Sequence, residues 1–416
     1  MFRTACMNCG GSSLHSVIDL GEQPNGNHFI TAEEIETETK FPLEMLVCAT
    51  CWQVQIAEFP PQEILFDDHP YVSGINVPVV QHFTQLAKQV ISKLGLSPGD
   101  LVMDIGCNDG TLLSAFAAAG MNTLGIDPGK RVSELAGANG HVIGRSFFNQ
   151  TTGHALKTLG ISPKLITATA VFYHVPDLHD FIAGLDAVMS RESIFLVQGV
   201  NLHDLIEKLE FDHFYHEHSC IHSIAALNRL FTAHEMRLLD VEYYSIHGGS
   251  FVAYVGRNDH PWPTSANVPA AIETEQAAGL MSVERYERFA ADVRNNMNNL
   301  KALLERLKAE GRSVFGLGAP VKGSTLLNYC DIGPDLVSCL TEVNEYKFDR
   351  LSPGTHIPVV DEKKLATQPD YYLVLSWNFA DYLIEKYANY LQAGGQFIIP
   401  VPELRVVGAE AIGKFS

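Results

Sequence analysis

The chain has 416 residues, 46% of them hydrophobic, and a formal net charge of −19. That length predicts two or three domains with substantial cores. The acidic surface repels phosphate backbones and disfavours a nucleic-acid partner, although one anionic small molecule still fits a local basic pocket. No apolar run is long enough to span a bilayer, and Met1-Phe2-Arg3-Thr4 lacks the apolar core of a secretion signal. A reducing, cytoplasmic setting is expected, in which the eight cysteines serve as thiols or metal ligands rather than disulfides.

Four cysteines form two pairs, Cys6-Met7-Asn8-Cys9 and Cys48-Ala49-Thr50-Cys51. A Cys-x-x-Cys turn aims two thiolates at one point, and two such turns make a tetrahedral Zn²⁺ site. The competing readings are four unpaired thiols or two redox pairs. With zinc, the site staples a module over residues 1–68 whose core is too small to stand alone. No open coordination position argues for a catalytic ion.

An α/β unit follows. Leu101–Ile105 reads as a buried parallel strand, and Gly106 and Gly110 allow a tight turn with close backbone approach to a ligand. A helix is expected from Leu112 to Ala119, then a second strand ending in Asp127-Pro128. An acid at that tip, about twenty residues on, suits the two hydroxyls of a ribose. The loop is Asp104-x-Gly106-x-x-x-Gly110, not G-x-G-x-x-G. An acid there repels a pyrophosphate and suits the ammonium of a methionine moiety, which favours S-adenosylmethionine (SAM) over a dinucleotide. Asp104, Gly106, Cys107, Asn108, Asp109, Gly110, Asp127 and Pro128 are the candidate cofactor residues; a generic glycine turn is the alternative. Leu165–Phe172 is expected as the fourth strand and Ser193–Gln198 as the fifth, which places His174 near a transferred methyl.

The segment Phe211–His222 holds His213, His216, His218 and His222. Three readings compete. A metal site is disfavoured because near neighbours do not face one point on a helix. A solvated polar loop is the bland alternative. The favoured reading is a general base: an imidazole is poised for proton abstraction near neutral pH, oriented by a carboxylate, with a Tyr hydroxyl to meet an enolate.

Beyond this, about residues 270–310 read as one long amphipathic helix ended by Gly311. Strands are expected at Ser313–Gly316, Tyr371–Ser376 and Gln396–Pro400, with a glycine-rich turn after the first. Lys322 in that turn is a candidate diphosphate ligand and His356 a weaker one. The alternative is that this unit only closes the active site.

Taken in order, the Cys pairs, the Asp104–Gly110 loop, Tyr215-His216-Glu217-His218 and His247-Gly248-Gly249-Ser250 form one pattern. It continues through Gly316-Leu317-Gly318-Ala319-Pro320-Val321-Lys322-Gly323-Ser324-Thr325-Leu326-Leu327-Asn328, Pro353-Gly354-Thr355-His356-Ile357-Pro358 and Ile399-Pro400-Val401-Pro402. Over nearly the whole chain this resembles the nucleotide-sugar carbon-3 C-methyltransferases, which make branched deoxysugars. The resemblance implies an α/β protein with a zinc-binding module (1–68), a Rossmann-like SAM domain (69–260), a helical connection (261–310) and a Rossmann-like C-terminal domain (311–416). It implies a 4-keto-6-deoxy sugar carried on dTDP or GDP as substrate, SAM as cofactor and zinc as a structural ion. His218 would be the general base, with Tyr215 and Glu217 beside it, and Tyr71 and His174 lining the site. The chain departs from the family at Ser73-Gly74-Ile75-Asn76, where a serine-rich stretch is usual, and at Thr169-Ala170, where paired asparagines are common. The rival functions are O- or N-methyl transfer to a nucleotide sugar, and non-catalytic binding of zinc and SAM. The oligomeric state is left open, a monomer being compatible.

Overall fold

The computed structural model describes residues 3–66 and 71–414, without the side chains of Glu63 and His247. Pro70, the expected boundary at residue 68 and the imidazole of the 247–250 motif thus lie outside the described residues.

Three sheets are stacked along the chain. The first is antiparallel, in the order Leu14–Pro24, Lys40–Cys48, Val54–Ile56 and Cys220–Ile221. Its fourth strand is borrowed from far along the sequence, with Val54 opposite Ile221 and Gln55 opposite Cys220. The second sheet has seven strands: Met236–Tyr244, Ser250–Arg257, Ile194–Val200, Leu165–Thr169, Leu101–Ile105, Asn122–Ile126 and Val142–Gly144. The last five run parallel, and Ser250–Arg257 is antiparallel to both its neighbours. Leu165–Thr169 and Ile194–Val200 are buried throughout, as central strands covered by helices on both faces must be. The third sheet runs Val359–Asp361, Leu340–Glu342, Val314–Leu317, Tyr371–Val374, Gln396–Ile399 and Arg405–Val407. All but the last of these are parallel.

Two expected elements differ. The fourth strand ends at Thr169, not Phe172, because Ala170 turns left-handed at φ 58° and Phe172–His174 forms a 3₁₀ turn. The long helix is two helices, Asn267–Ala277 and Val283–Ala309. Gly279 takes φ 81° between them, and the Ser282 side chain caps the second by accepting from the Arg285 amide. The second helix buries Tyr286, Phe289, Val293, Met297, Leu300, Leu304 and Leu307, the spacing of one apolar stripe.

The N-terminal module also docks on the C-terminal unit. Ile30 bridges Leu351, and Arg350 Nη1 donates to the Phe29 carbonyl at 3.0 Å. Among the described residues no helix is long and apolar enough to cross a membrane.

Candidate active site

The four cysteine sulfurs lie within 4.8 Å of one another. Cys6 and Cys51 are 3.4 Å apart and Cys9 and Cys48 are 3.7 Å apart. A tetrahedral ion with bonds of about 2.3 Å requires sulfur separations of about 3.8 Å, so the cluster fits Zn²⁺ closed by four thiolates. Each pair sits on a tight turn: Gly10 N–H donates to the Cys6 carbonyl at 2.9 Å and Trp52 N–H to the Cys48 carbonyl at 2.8 Å. It is the one grouping among the described residues suited to a metal.

A cavity of about 310 Å³ opens at the carboxyl ends of the parallel strands of the middle sheet. Gly106, Asn108, Asp127 and Pro128 line it, with Tyr71, Phe83, Phe147, Phe148, Val171 and His174. That volume lies within the range of small-molecule sites. Asp127 is placed by two backbone donors, Asn108 N–H to Oδ2 at 2.9 Å and Gly129 N–H to Oδ1 at 2.8 Å. It stands at the strand tip, as ribose recognition requires. Gly106 takes φ 68°, and a Cβ there would come within 2.3 Å of the Val171 side chain. The strand-to-loop turn thus requires glycine. An acid for ribose, aromatic walls and a glycine turn suit SAM.

The other four expected cofactor residues are not part of that lining. Asp104 is buried and accepts from the Thr167 hydroxyl at 2.6 Å, and burial pushes its carboxyl up to about 7. Cys107 is buried, packing toward Gly125. Asp109 accepts from the Thr111 hydroxyl at 2.6 Å and from Gly74 N–H at 2.9 Å. Gly110 precedes the helix Thr111–Ala118 at φ 77°. These residues shape the loop from behind. Asn108 and Asp109 also hold Tyr71–Gly74: Ser73 N–H donates to Asn108 Oδ1 at 2.9 Å, and Asn108 Nδ2 to the Tyr71 carbonyl at 3.2 Å. Ser146–Phe148 is a lining segment that the sequence motifs did not mark, and Thr169-Ala170, the strand tip where the chain departs from the family it resembles, also lines the cavity.

His174 connects this cavity to the histidine segment. Its ring stacks on His218 with centroids 5.1 Å apart. Tyr173 and Tyr215 also pack on the His218 ring, at 4.5 Å and 3.9 Å. His218 Nδ1 is 2.6 Å from the His213 carbonyl oxygen. A carbonyl only accepts, so Nδ1 carries a proton, and in the neutral imidazole Nε2 then holds the lone pair. Burial raises the Tyr173 and Tyr215 phenols above the ordinary tyrosine value. Both remain neutral hydroxyl donors. Glu217 Oε1 accepts from Asn27 Nδ2 at 2.6 Å, a partner that no motif announced.

His213 also stacks with His218, with centroids 6.3 Å apart, while His216 and His222 have other neighbours. His216 Nε2 lies 3.2 Å from the Pro42 carbonyl. His222 stacks on Phe172, and burial drops its pKa to about 3. His213 Nε2 lies 3.4 Å from Glu210 Oε2. Gly248, at φ 93°, leaves room for that carboxylate: a Cβ there would sit 2.6 Å from Glu210 Oε2.

Lys322 and His356 do not line the cofactor cavity. Lys322 is buried, with Nζ 3.9 Å from the Trp377 ring centroid, and Trp377 Nε1 donates to Asp212 Oδ2 at 2.6 Å. Asp212 and Glu210 are the acids that oppose the effect of burial on its ammonium. Two acids beside that ammonium would repel a diphosphate. His356 Nε2 is 2.9 Å from Glu38 Oε2, which ties the C-terminal unit to the N-terminal module.

Three family models match in chain order: a zinc binding domain at residues 6–66, a methyltransferase domain at 80–241 and a C-methyltransferase C-terminal domain at 245–402. The C-methyltransferase NovU of Streptomyces niveus is 30% identical over 408 residues, covering 98% of this chain and 97% of that protein. Solved structures resemble the chain more distantly. The magnesium protoporphyrin IX methyltransferase of Synechocystis PCC 6803 is 16% identical, covering 43% of this chain and 83% of its own, with a TM-score of 0.34. A SAM-dependent methyltransferase of Clostridium acetobutylicum is 11% identical, covering 43% and 92%, with a TM-score of 0.34.

Two outcomes are expected. Gly106→Ala, forced against Val171, weakens SAM binding by about tenfold or more in calorimetry, as displacing a packed loop by an ångström-scale clash would. Stripping zinc with a chelator lowers the melting temperature by several degrees, since a structural ion contributes its binding energy to folding; metal analysis and a thermal melt check this.

Proposed function

This chain belongs to the SAM-dependent C-methyltransferases, and we propose that its acceptor is carbon 3 of a nucleotide-linked 4-keto-6-deoxy sugar. Family membership sets aside O- or N-transfer and non-catalytic binding. The observation that carries the acceptor reading is the stack of His174 on His218. One ring lines the cofactor cavity; the other sits among two phenols with its Nδ1 turned to a backbone carbonyl.

A ketone at carbon 4 acidifies the hydrogen on carbon 3. His218 Nε2 takes that proton, and the Nδ1 proton held by the His213 carbonyl spreads the resulting positive charge. A neutral phenol, Tyr215 or Tyr71, donates to the enolate oxygen, where a preorganised donor in a water-poor site is worth most. Bound SAM supplies the methyl that the nucleophilic carbon accepts. Asp127 holds its ribose, and the Gly106–Asn108 turn its methionine end. Tyr71, fastened by Asn108, covers the junction between cofactor and acceptor. Lys322 and His356 have no part in this reading, because each faces a carboxylate of the protein.

Incubation with SAM and a panel of dTDP- and GDP-linked 4-keto sugars tests the acceptor. The expected product is heavier by one methylene, with solvent deuterium entering carbon 3 when SAM is withheld. His218→Asn should lower turnover by about 10²–10⁴-fold, the usual contribution of a positioned base, while leaving SAM affinity intact. Near-normal methylation by that variant would remove His218 from the role.

A further inference from the structure

The loop after the strand Leu14–Pro24 belongs to the zinc module, yet its Asn27 reaches Glu217. The loop is held in shape from within: Asn27 N–H donates to Asn25 Oδ1 at 3.1 Å, and His28 N–H to the Asn25 carbonyl at 3.0 Å. It is pinned from outside by the helix Val321–Tyr329 of the C-terminal unit. Ser324 Oγ donates to the Gly26 carbonyl at 3.2 Å, and a Cβ at Gly26 would come within 2.8 Å of Val321. A turn wedged in this way aims one carboxamide with little freedom to look away.

We propose that Asn27 is a positioning residue: its carboxamide fixes the Glu217 carboxylate beside His218, so the zinc module completes the active site. The inference rests on the reading of residues 215–218 as the acceptor site. A charged carboxylate accepting from a fixed amide makes one of the stronger hydrogen bonds in a protein. Without that donor, Glu217 has rotamers that swing it away from the sugar and is less stable in its charged form. Groups that also feel Glu217 include Tyr215 and His216 on its own segment, Tyr173 on the turn 172–174, and Lys347 from the C-terminal unit. Lys347 Nζ donates to the Ala319 carbonyl at 2.7 Å. It supplies positive charge nearby but not the aimed donor.

Two measurements on the full chain test this. In the first, carboxyl-labelled protein without acceptor is titrated by NMR, the Glu217 signal being assigned by its loss in Glu217→Gln. Asn27→Ala should raise the Glu217 midpoint by about one pH unit, the equivalent of one charge-assisted hydrogen bond. In the second, Asn27→Ala should lower kcat about tenfold with zinc content, SAM affinity and acceptor KM little changed. Asn27→Asp should lose activity more steeply as pH rises, because a protonated Asp still donates and an ionised one opposes Glu217. An unmoved Glu217 midpoint overturns the proposal. So does wild-type kcat in Asn27→Ala, or matching pH profiles for the Ala and Asp variants. Failure of every panel sugar sinks the acceptor reading alone, since the NMR titration needs no acceptor.

Discussion

Cys220 and Ile221 pair with Val54 and Gln55, and the placing of the Tyr215–His218 segment depends on that short ladder. It begins two residues after His218, so the backbone of His218 is tied closely to it. Ser219, between them, is held on both sides. Its carbonyl accepts from Ile56 N–H at 3.1 Å, and its hydroxyl lies 2.7 Å from the Val175 carbonyl oxygen and 3.0 Å from that of Tyr173. The same residue therefore ties the zinc module to the turn that carries Tyr173 and His174. Each such bond is worth about 0.5–1.5 kcal/mol net, but they act together on a fully buried stretch. The ladder links a cysteine cluster to a histidine distant from it in sequence: the four cysteines hold the sheet, and the sheet holds the segment of His218.

The stretch before His218 is held by charge. Glu210 and Asp212 are buried, and burial pushes the Glu210 carboxyl up to about 7 and that of Asp212 upward as well. Buried acids are tolerated only with compensation. Here the compensation comes from His213 on the same segment, and from Lys322 with Trp377 of the C-terminal unit, while Gly248 leaves space for the Glu210 carboxylate. The His213 carbonyl that selects the His218 tautomer thus sits in a segment clamped from both sides. This gives the 247–250 and 316–328 motifs a structural account that their sequences alone did not suggest.

Local chemistry was legible in the sequence, and long-range pairing was not. The Cys-x-x-Cys spacing, the loop Asp104–Gly110 and Asp127 at the second strand tip each declare themselves over a few residues. The matching residues assemble as the motifs imply. Half of the expected cofactor contacts, Asp104, Cys107, Asp109 and Gly110, belong to the loop but face away from the cavity. A motif records which residues a turn needs, not which of them meet the ligand. Nothing in the glycine-rich turn that carries Lys322 tells that Asp212 and Glu210, from a different unit, act on its ammonium. Asn27 could not be found at all, since nothing in Gln23-Pro24-Asn25-Gly26-Asn27 says that Glu217 lies beside it. The break at Gly279 was legible in principle, as glycine followed by a Ser cap, but was masked by apolar periodicity on both sides.

The borrowed strand also sets an order of events during synthesis. The zinc module leaves the ribosome before Cys220 and Ile221 do, with its four cysteines already synthesised. Its sheet nevertheless lacks its last member, and Val54–Ile56 presents an unpaired edge until residue 221 has been made. Such an edge invites pairing with other chains, and a contact this distant in sequence is slow to form. The nascent protein therefore passes through an interval in which its metal site is complete and its sheet is not. The chain segment that ends this interval is the one that carries His218.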